Sequence, residues 1–188
     1  LDRLLFWKRH HKKRGVSRGH HGPQDTAKRL IEMRPEVLSS GHWELDFIVS
    51  RESAAVLMVM VDRWTRFTII LWLPQKTHAS ALAALRGIKR KHRIHTITTD
   101  NDIVFRGWQA IEKSLSVPFY FARPFHSWEK GLVENTNRWI RTFVPRKTDL
   151  AVVSRTQIRS ATDFLNKTPR QCLGYRTAEE VLLANELS

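Results

Sequence analysis

The sequence predicts an α/β fold in which a mixed sheet of five strands carries helices on both faces. Residues 42–73 contain three strand-like segments joined by gaps of only a few residues, which is typical of an antiparallel meander. From residue 77 onward, helical and strand periodicities alternate before the chain ends in helices. Because βα units add parallel strands, this order indicates a mixed sheet between two helical layers.

The three meander segments each favour a strand for a different reason. The first, "HWELDFIVS" at 42–50, alternates apolar residues with a side that carries Glu44 and Asp46. The second, at 54–62, is a continuous apolar run, which is typical of a strand buried on both faces. The third, "RFTIILWL" at 66–73, is rich in β-branched and aromatic residues.

The remaining elements alternate between the two periodicities. Thr77 is predicted to cap the first helix, because its hydroxyl can accept a hydrogen bond from the first turn. No internal repeat is found. The expected helices cover 77–92, 106–116, 128–144, 154–167 and 177–187, and the further expected strands cover 94–99 and 118–122.

The composition favours a nucleic-acid partner. Lys and Arg number 32 against 18 Asp and Glu, which gives the 188-residue chain a formal net charge of +14. A compact domain with this imbalance most readily binds a polyanion, and nucleic acid is the commonest one. The longest apolar run, at 54–61, is far shorter than the ~20 residues that cross a bilayer. The single cysteine, Cys172, excludes an intrachain disulfide framework.

Charge and apolar periodicity divide the chain into two regions. Residues 1–30 are predicted to form a flexible basic arm, since residues 1–24 hold seven Lys and Arg and no periodic apolar face after Trp7. Residues 31–188 are predicted to form the folded core with its C-terminal helices. In the arm, the candidates for contact with nucleic-acid phosphates are Lys12, Lys13 and Arg14.

Three carboxylates occupy positions that point to metal-dependent chemistry. Asp46 lies inside the first strand, Asp100 ends the fourth strand, and Glu134 lies in the helix predicted over 128–144. Burying a carboxylate is costly unless positive charge compensates it. Mg²⁺ compensates it well, because this ion prefers hard oxygen ligands together with substrate phosphates. Two such ions ~3.5–4 Å apart stabilise both the attacking and the leaving oxygen in phosphoryl transfer.

The helix predicted over 128–144 is amphipathic. Residues three and four apart share one face of a helix, which separates an apolar stripe from a polar side. The predicted stripe contains Leu132, Trp139, Ile140 and Phe143, and the polar side carries Glu134, Asn137, Arg138 and Arg141. Together with Lys130, the last three are candidates for contact with nucleic-acid phosphates.

Four segments carry a specific resemblance: "GHWELDF", "TITTDND", "FYFARPFHSWEKGLVENTNRWIR" and "LNKTPRQCLGYRTAEEVL". Over about residues 31–182, the chain resembles the catalytic core of bacterial insertion-sequence transposases of the IS30 family. Thirty-three residues separate Asp100 from Glu134, a spacing typical of that family's second and third catalytic acids. The resemblance implies an integrase-like core with a ribonuclease H-like fold.

The resemblance also implies a DDE-type DNA strand-transferase. Asp46, Asp100 and Glu134 would be its catalytic acids and the ligands of two Mg²⁺ ions, with Mn²⁺ as an alternative. Water would cut at the ends of the element, and the freed 3′-hydroxyl would then attack target DNA. The implied partners are double-stranded DNA and further copies of the chain, at least a dimer on DNA. The implied location is the bacterial cytoplasm, away from membranes.

Two departures from the family pattern leave alternatives open. Asp102 replaces the glycine of the family's Asp-Asn-Gly, and Val104 replaces a glutamate. One alternative is therefore a decayed or domesticated copy that binds DNA without cutting it. A separate alternative is a ribonuclease H-like nuclease, which the same three acids would serve. Because aspartate tolerates a left-handed backbone, we expect the turn to be kept and Asp102 to point to solvent. No helix-turn-helix pattern precedes residue 40, so the recognition of DNA ends is expected elsewhere.

Overall fold

The computed structural model describes residues 28–123 and 130–186. Within these residues, strands and helices follow the predicted order. The strands are β1 (His42–Ser50), β2 (Ser53–Asp62), β3 (Thr68–Leu73), β4 (Thr96–Thr99) and β5 (Phe119–Phe121), and the α-helices are α1 (His78–Lys89), α2 (Trp108–Leu115), α3 (Gly131–Phe143), α4 (Arg155–Lys167) and α5 (Ala178–Glu186). No helix in this part of the chain combines the length and apolar character that crossing a membrane requires.

The five strands form one mixed sheet in the order β3-β2-β1-β4-β5. β2 pairs with β1 and β3 in antiparallel fashion, whereas β4 pairs with β1 and β5 in parallel. Antiparallel neighbours need only a turn between them, but the parallel step from β3 to β4 requires a crossover, which α1 supplies. The predicted meander followed by βα units is therefore confirmed.

The sheet separates two apolar cores, and alternation along β2 supplies both. Met58 and Met60 belong to the core formed with α1 and α2, whereas Leu57 and Val59 belong to the core formed with α3 and α4. All four side chains are fully buried. Successive strand residues point to opposite faces, so a continuous apolar run fits a strand that is covered on both sides. Helices lie on both faces, as predicted.

The same alternation brings the acids of β1 to α3. Trp43 and Leu45 pack into the core shared with α1 and α2. Glu44 and Asp46 point to the opposite face, where their side chains accept hydrogen bonds from α3. The polar side of the first strand therefore faces the helix that carries Glu134.

The buried face of α3 differs from the predicted apolar stripe. Its buried residues are Val133, Thr136 and Ile140. Trp139, which was predicted to lie in the stripe, is 47% exposed and contacts the ring of Phe164 on α4. Thr136 can be buried in its place because its hydroxyl donates to the carbonyl of Leu132 over 3.0 Å. Ile140 is buried and both Leu132 and Phe143 pack against the same core, so the stripe prediction was wrong for Trp139 and missed Thr136.

Residues 28–30, which the sequence assigned to the basic arm, lie against the edge of the sheet. Leu30 forms a parallel bridge with Phe121, and the Phe121 N–H donates to the carbonyl of Arg29 over 2.8 Å. Arg29 also pairs with Glu112 at 2.6 Å. Residues 28–30 therefore contact the folded core, and the predicted boundary after residue 30 stays a prediction. Residues 1–27 lie outside the described part of the chain, and they include Lys12, Lys13 and Arg14.

Candidate active site

Asp46 lies in the middle of β1 and is held by two donors. Its Oδ2 accepts a 2.8 Å hydrogen bond from Nδ2 of Asn137, and its Oδ1 lies 3.5 Å from Nζ of Lys130. Burial raises the pKa of the Asp46 carboxyl, an effect that the Lys130 ammonium partly offsets and the Asp100 carboxylate reinforces. Additional positive charge nearby would therefore stabilise the ionised carboxylate of Asp46.

Asp100 directly follows β4 and lies level with Asp46. In the parallel pair of β1 and β4, Glu44 lies opposite Thr98, so a step of two residues along each strand reaches the two aspartates. The carboxyl ends of parallel strands open onto one edge of a sheet, which is where α/β folds bind ligands. The topology, and not closeness in sequence, brings Asp46 and Asp100 together.

The ammonium group of Lys130 joins the two aspartates. It lies 3.5 Å from Oδ1 of Asp46 and 3.3 Å from Oδ2 of Asp100, and the lysine side chain is only 5% exposed. A buried ammonium is costly unless acids surround it, and here two carboxylates do so. Since one positive charge faces two negative ones, the cluster keeps a negative balance.

Glu134 lies in the first turn of α3, next to this cluster. Its side chain is partly buried, and burial raises the pKa of its carboxyl. Lys130 opposes that rise, whereas the carboxylates of Asp46 and Glu44 add to it. Glu134 therefore belongs to the same electrostatic environment as the aspartates.

The chemistry of the donor set fits a hard divalent cation. The described acids offer carboxylate oxygens, which Mg²⁺ and Mn²⁺ accept, and two of them already share one cationic group of the protein. In residues 28–123 and 130–186, no three His, Cys, Asp or Glu side chains are close enough together to hold one ion. The structure thus brings Asp46 and Asp100 together on Lys130, with Glu134 beside them and not in contact with the same ammonium.

Asp102 does not point to solvent, contrary to the expectation from the sequence. Its side chain is 14% exposed and forms an ion pair with Lys76. Its Oδ1 also accepts the N–H of Val104 over 3.0 Å, and its own N–H donates to Oδ1 of Asp100 over 3.2 Å. The backbone at Asp102 is extended, with φ of −62°, so no glycine is needed there. Asp102 caps the short 3-10 helix Ile103–Phe105, and Lys76 compensates its charge.

The other predicted contact residues of α3 fall into two groups. Asn137 and Lys130 bind Asp46 and so have partners inside the protein. Arg138 is exposed and lies near the carboxylate of Glu134. The guanidinium of Arg141 donates to the carbonyl oxygens of Val49 and Pro145, at 3.1 and 3.4 Å. Contacts of these residues with DNA stay a prediction.

Sequence reasoning missed Glu44 as a residue of this region. Its side chain accepts the N–H of Val133 over 3.1 Å and lies 3.4 Å from Nη1 of Arg34. The alternation of β1 already put Glu44 on the same face as Asp46. That shared face was the available signal, but nothing in the pattern indicated which helix would meet it.

A surface cavity of about 480 Å³ lies apart from the acids. It is lined by Ile31, Glu32, Arg34, Pro35, Glu36 and Arg63. None of the three predicted catalytic acids borders it. This cavity therefore does not coincide with the candidate site, which is defined by its charges.

Solved structures define the class of the fold. A chain of the simian T-cell lymphotropic virus intasome, determined by cryoEM in complex with PP2A regulatory subunit B56 gamma, superposes with a TM-score of 0.64 at 21% identity, covering 79% of this chain and 56% of that chain. The catalytic core domain of BIV integrase gives a TM-score of 0.60 at 17% identity, covering 79% and 97%. The chain thus has the ribonuclease H-like fold of integrase catalytic cores.

Sequence relatives identify the family. The transposase of insertion sequence element IS4351 from Bacteroides fragilis is 37% identical over 158 residues, covering 80% of this chain and 48% of the transposase. Transposase InsI of element IS30C from Escherichia coli K12 is 33% identical over 147 residues, covering 77% and 38%. No family model matches. The chain belongs to the insertion-sequence transposase family that includes IS30, and it spans half or less of the length of these relatives.

Proposed function

We propose that this chain is the catalytic core of a DNA transposase, with Asp46, Asp100 and Glu134 as its catalytic acids. The observation that carries the proposal is the pair of aspartates at 3.5 and 3.3 Å from one buried ammonium, where the end of β4 lies beside the middle of β1 and close to α3. An acidic cluster in a chain of net charge +14 is suited to gathering cations while the surrounding surface attracts phosphates.

Asp46 and Asp100 would hold divalent metal ions, with Glu134 completing the ligand set. Two bound Mg²⁺ ions, or Mn²⁺ in their place, supply Lewis-acid stabilisation of the attacking and leaving oxygens. The protein's part is to orient the carboxylates. Asn137 donates to Asp46, and the N–H of Asp102 donates to Asp100, so that each aspartate has one oxygen held by a neutral donor.

The proposed reaction has two phosphoryl-transfer steps. In the first, water attacks a phosphodiester at the end of the element, so that one P–O bond forms, one breaks and a 3′-hydroxyl is released. In the second, that hydroxyl attacks a phosphodiester of target DNA and displaces a 3′-oxygen, so that the number of phosphodiesters is conserved. No covalent bond between protein and DNA is part of this scheme.

Double-stranded DNA is the proposed partner, bound mainly through its phosphates. Arg138, exposed one turn beyond Glu134, is suited to a phosphate near the scissile bond. The basic residues Lys12, Lys13 and Arg14 would contact DNA farther away. Because two element ends are joined, we further propose that the chain acts as a homo-oligomer, at least a dimer on DNA, in the bacterial cytoplasm.

A strand-transfer assay with pre-cut ends of the element tests the proposal. We expect joined products only when Mg²⁺ or Mn²⁺ is added, and none with Asp100→Asn. Cleavage of an RNA–DNA hybrid without joining would favour the ribonuclease H-like nuclease. DNA binding without any metal-dependent product would favour the decayed copy and overturn the proposal.

A further inference from the structure

Glu44 is a buried carboxylate with two partners that belong to other elements. Its side chain lies in β1 and the residue is only 3% exposed. Oε1 lies 3.4 Å from Nη1 of Arg34, and Oε2 accepts the N–H of Val133 over 3.1 Å. Both oxygens are therefore engaged within the protein, and the charge is compensated by Arg34.

The contact with Val133 caps α3 from outside the helix. The first four N–H groups of a helix lack partners within it, and Val133 is the third residue of α3. Lys130, the residue before the helix, makes no capping hydrogen bond through its side chain. An anion at this end also interacts favourably with the helix dipole. Glu44 thus does what a local capping residue does elsewhere.

A second contact lies farther along the same strand and the same helix. Asp46 accepts a hydrogen bond from Asn137 over 2.8 Å. The acceptors, Glu44 and Asp46, are two residues apart on β1, which corresponds to ~6.6 Å at ~3.3 Å per residue. The donors, on Val133 and Asn137, are four residues apart on α3, which corresponds to ~6 Å along the helix axis at about 1.5 Å per residue. The two spacings match, so the two hydrogen bonds fix the register of α3 along β1.

From this two-point attachment we infer that Glu44 is a positioning residue, which sets α3 on β1 so that Glu134 lies beside Asp46 and Asp100. The inference rests on the proposed function of Glu134. Apolar packing of Val133 and Ile140 is not directional and does not by itself prevent the helix from sliding. Glu134 directly follows Val133 on the same helix, so a slip of α3 along β1 displaces this carboxylate as well.

Two substitutions separate positioning from ligation. Glu44→Gln keeps an oxygen that can accept the Val133 N–H, whereas Glu44→Met keeps the length of the side chain and removes the acceptor. We expect Glu44→Met to lower the kcat of strand transfer by about 100-fold, the effect of a displacement of ~1 Å, with KM for DNA within about twofold. The kcat of Glu44→Gln should stay within about tenfold of that of the unchanged protein. A loss with Gln as large as that with Glu134→Gln would make Glu44 a ligand and overturn the inference.

Amide hydrogen exchange measured by NMR provides a readout without activity. The Val133 N–H should exchange faster in Glu44→Met and keep its protection in Glu44→Gln. Glu112→Met is the matched control, because Glu112 also pairs with an arginine and accepts a backbone N–H, from Phe119 over 3.1 Å, but lies away from α3. It should lower stability without changing exchange at Val133.

The outcomes distinguish the inference from the function on which it rests. If Glu134→Gln retains strand transfer, the proposed function fails, and exchange at Val133 still tests the attachment. If Glu134→Gln abolishes strand transfer but Glu44→Met keeps both kcat and the protection of Val133, the positioning role is overturned. Equal loss of kcat in Glu44→Met and Glu112→Met would reduce Glu44 to general stability and overturn it as well.

Discussion

The ammonium nitrogen of Lys130 lies 3.3 Å from Oδ2 of Asp100, linking the residue before α3 to the end of β4. The same nitrogen lies 3.5 Å from Oδ1 of Asp46. The positive charge that the two aspartates share therefore belongs to the protein itself. A divalent cation that binds these carboxylates has to compete with this ammonium.

Replacing Lys130 should consequently strengthen metal binding. We expect Lys130→Met to bind Mn²⁺ about tenfold more tightly in the absence of DNA, about 1.4 kcal/mol, because no ammonium has to be displaced. Without metal, the same variant should lose ~1–3 kcal/mol of unfolding free energy, since two carboxylates lose a charged donor. Isothermal titration calorimetry and urea unfolding measure the two effects.

The control for this prediction is Lys167→Met on α4. Lys167 pairs with Asp163 at 3.1 Å on the exposed surface, where an ion pair contributes little. It should alter neither Mn²⁺ affinity nor stability by a measurable amount. Weaker Mn²⁺ binding in Lys130→Met would contradict the competition and indicate that the lysine supports the metal site.

Neutralising any one of the three acids should stop the chemistry and leave DNA binding in place. Asp46→Asn, Asp100→Asn and Glu134→Gln should each lower metal-dependent cleavage by about a thousandfold or more, about 4 kcal/mol in barrier. DNA affinity should be unchanged or higher, because a carboxylate that repels phosphates is removed. Cleavage assays and fluorescence anisotropy on the same preparations measure both. If a variant cuts at nearly the rate of the unchanged protein, the substituted residue is not one of the catalytic acids.

Asp102 should contribute to the turn that holds Asp100, and not merely tolerate it. Asp102→Gly removes both the cap on Val104 and the ion pair with Lys76, so we expect ~0.5–2 kcal/mol less stability and a modest decrease in strand transfer. Asp102→Asn keeps a side-chain oxygen for the cap and should lose less. Thermal unfolding and strand-transfer rates are the measurements. A tenfold gain with Gly would instead mean that Asp102 impairs the site and would favour the decayed-copy reading.

Local sequence patterns predicted the elements of the fold, but they did not predict polar contacts between residues that are distant in the sequence. Thr77 was predicted as a helix cap, and its hydroxyl accepts the N–H of Ser80 over 3.2 Å, because such contacts span only a few residues. Periodicity also placed Asp46 and Glu44 on one face of a strand. It could not indicate that Lys130 would reach two aspartates, since the partner of a polar side chain depends on which elements the topology brings together.

Arg138 and Arg141 should respond differently to substitution, although both lie on α3 beyond Glu134. Arg138 is exposed. If it contacts one phosphate, Arg138→Ala should make the negative slope of log affinity against log salt shallower by ~0.9. Arg141 donates to two backbone carbonyls, so Arg141→Ala should lower stability as well as affinity. DNA titrations over a range of salt concentrations, with unfolding curves, separate the two. An unchanged slope for Arg138→Ala would remove it from the DNA interface.

The contribution of His42 to stability should be lost as the pH decreases. Burial lowers the pKa of the His42 imidazole, and the nearby His95 and Arg63 lower it further, against the opposing effect of Asp62. Since the unfolded chain then binds more protons, this contribution is present above the unfolded pKa of ~6.5 and is lost as the pH falls toward the folded pKa.

Substitution of His42 tests this directly. His42→Gln should flatten the dependence of unfolding free energy on pH below about 6.5, as measured by urea unfolding at several pH values. Thr96→Val is the matched control, because it removes the 2.9 Å hydrogen bond between the Thr96 hydroxyl and Nδ1 of His42 but keeps the titrating ring. That variant should be less stable at every pH and retain the slope. If His42→Gln keeps the full slope, His42 does not contribute to the pH dependence of the unfolding free energy in this range.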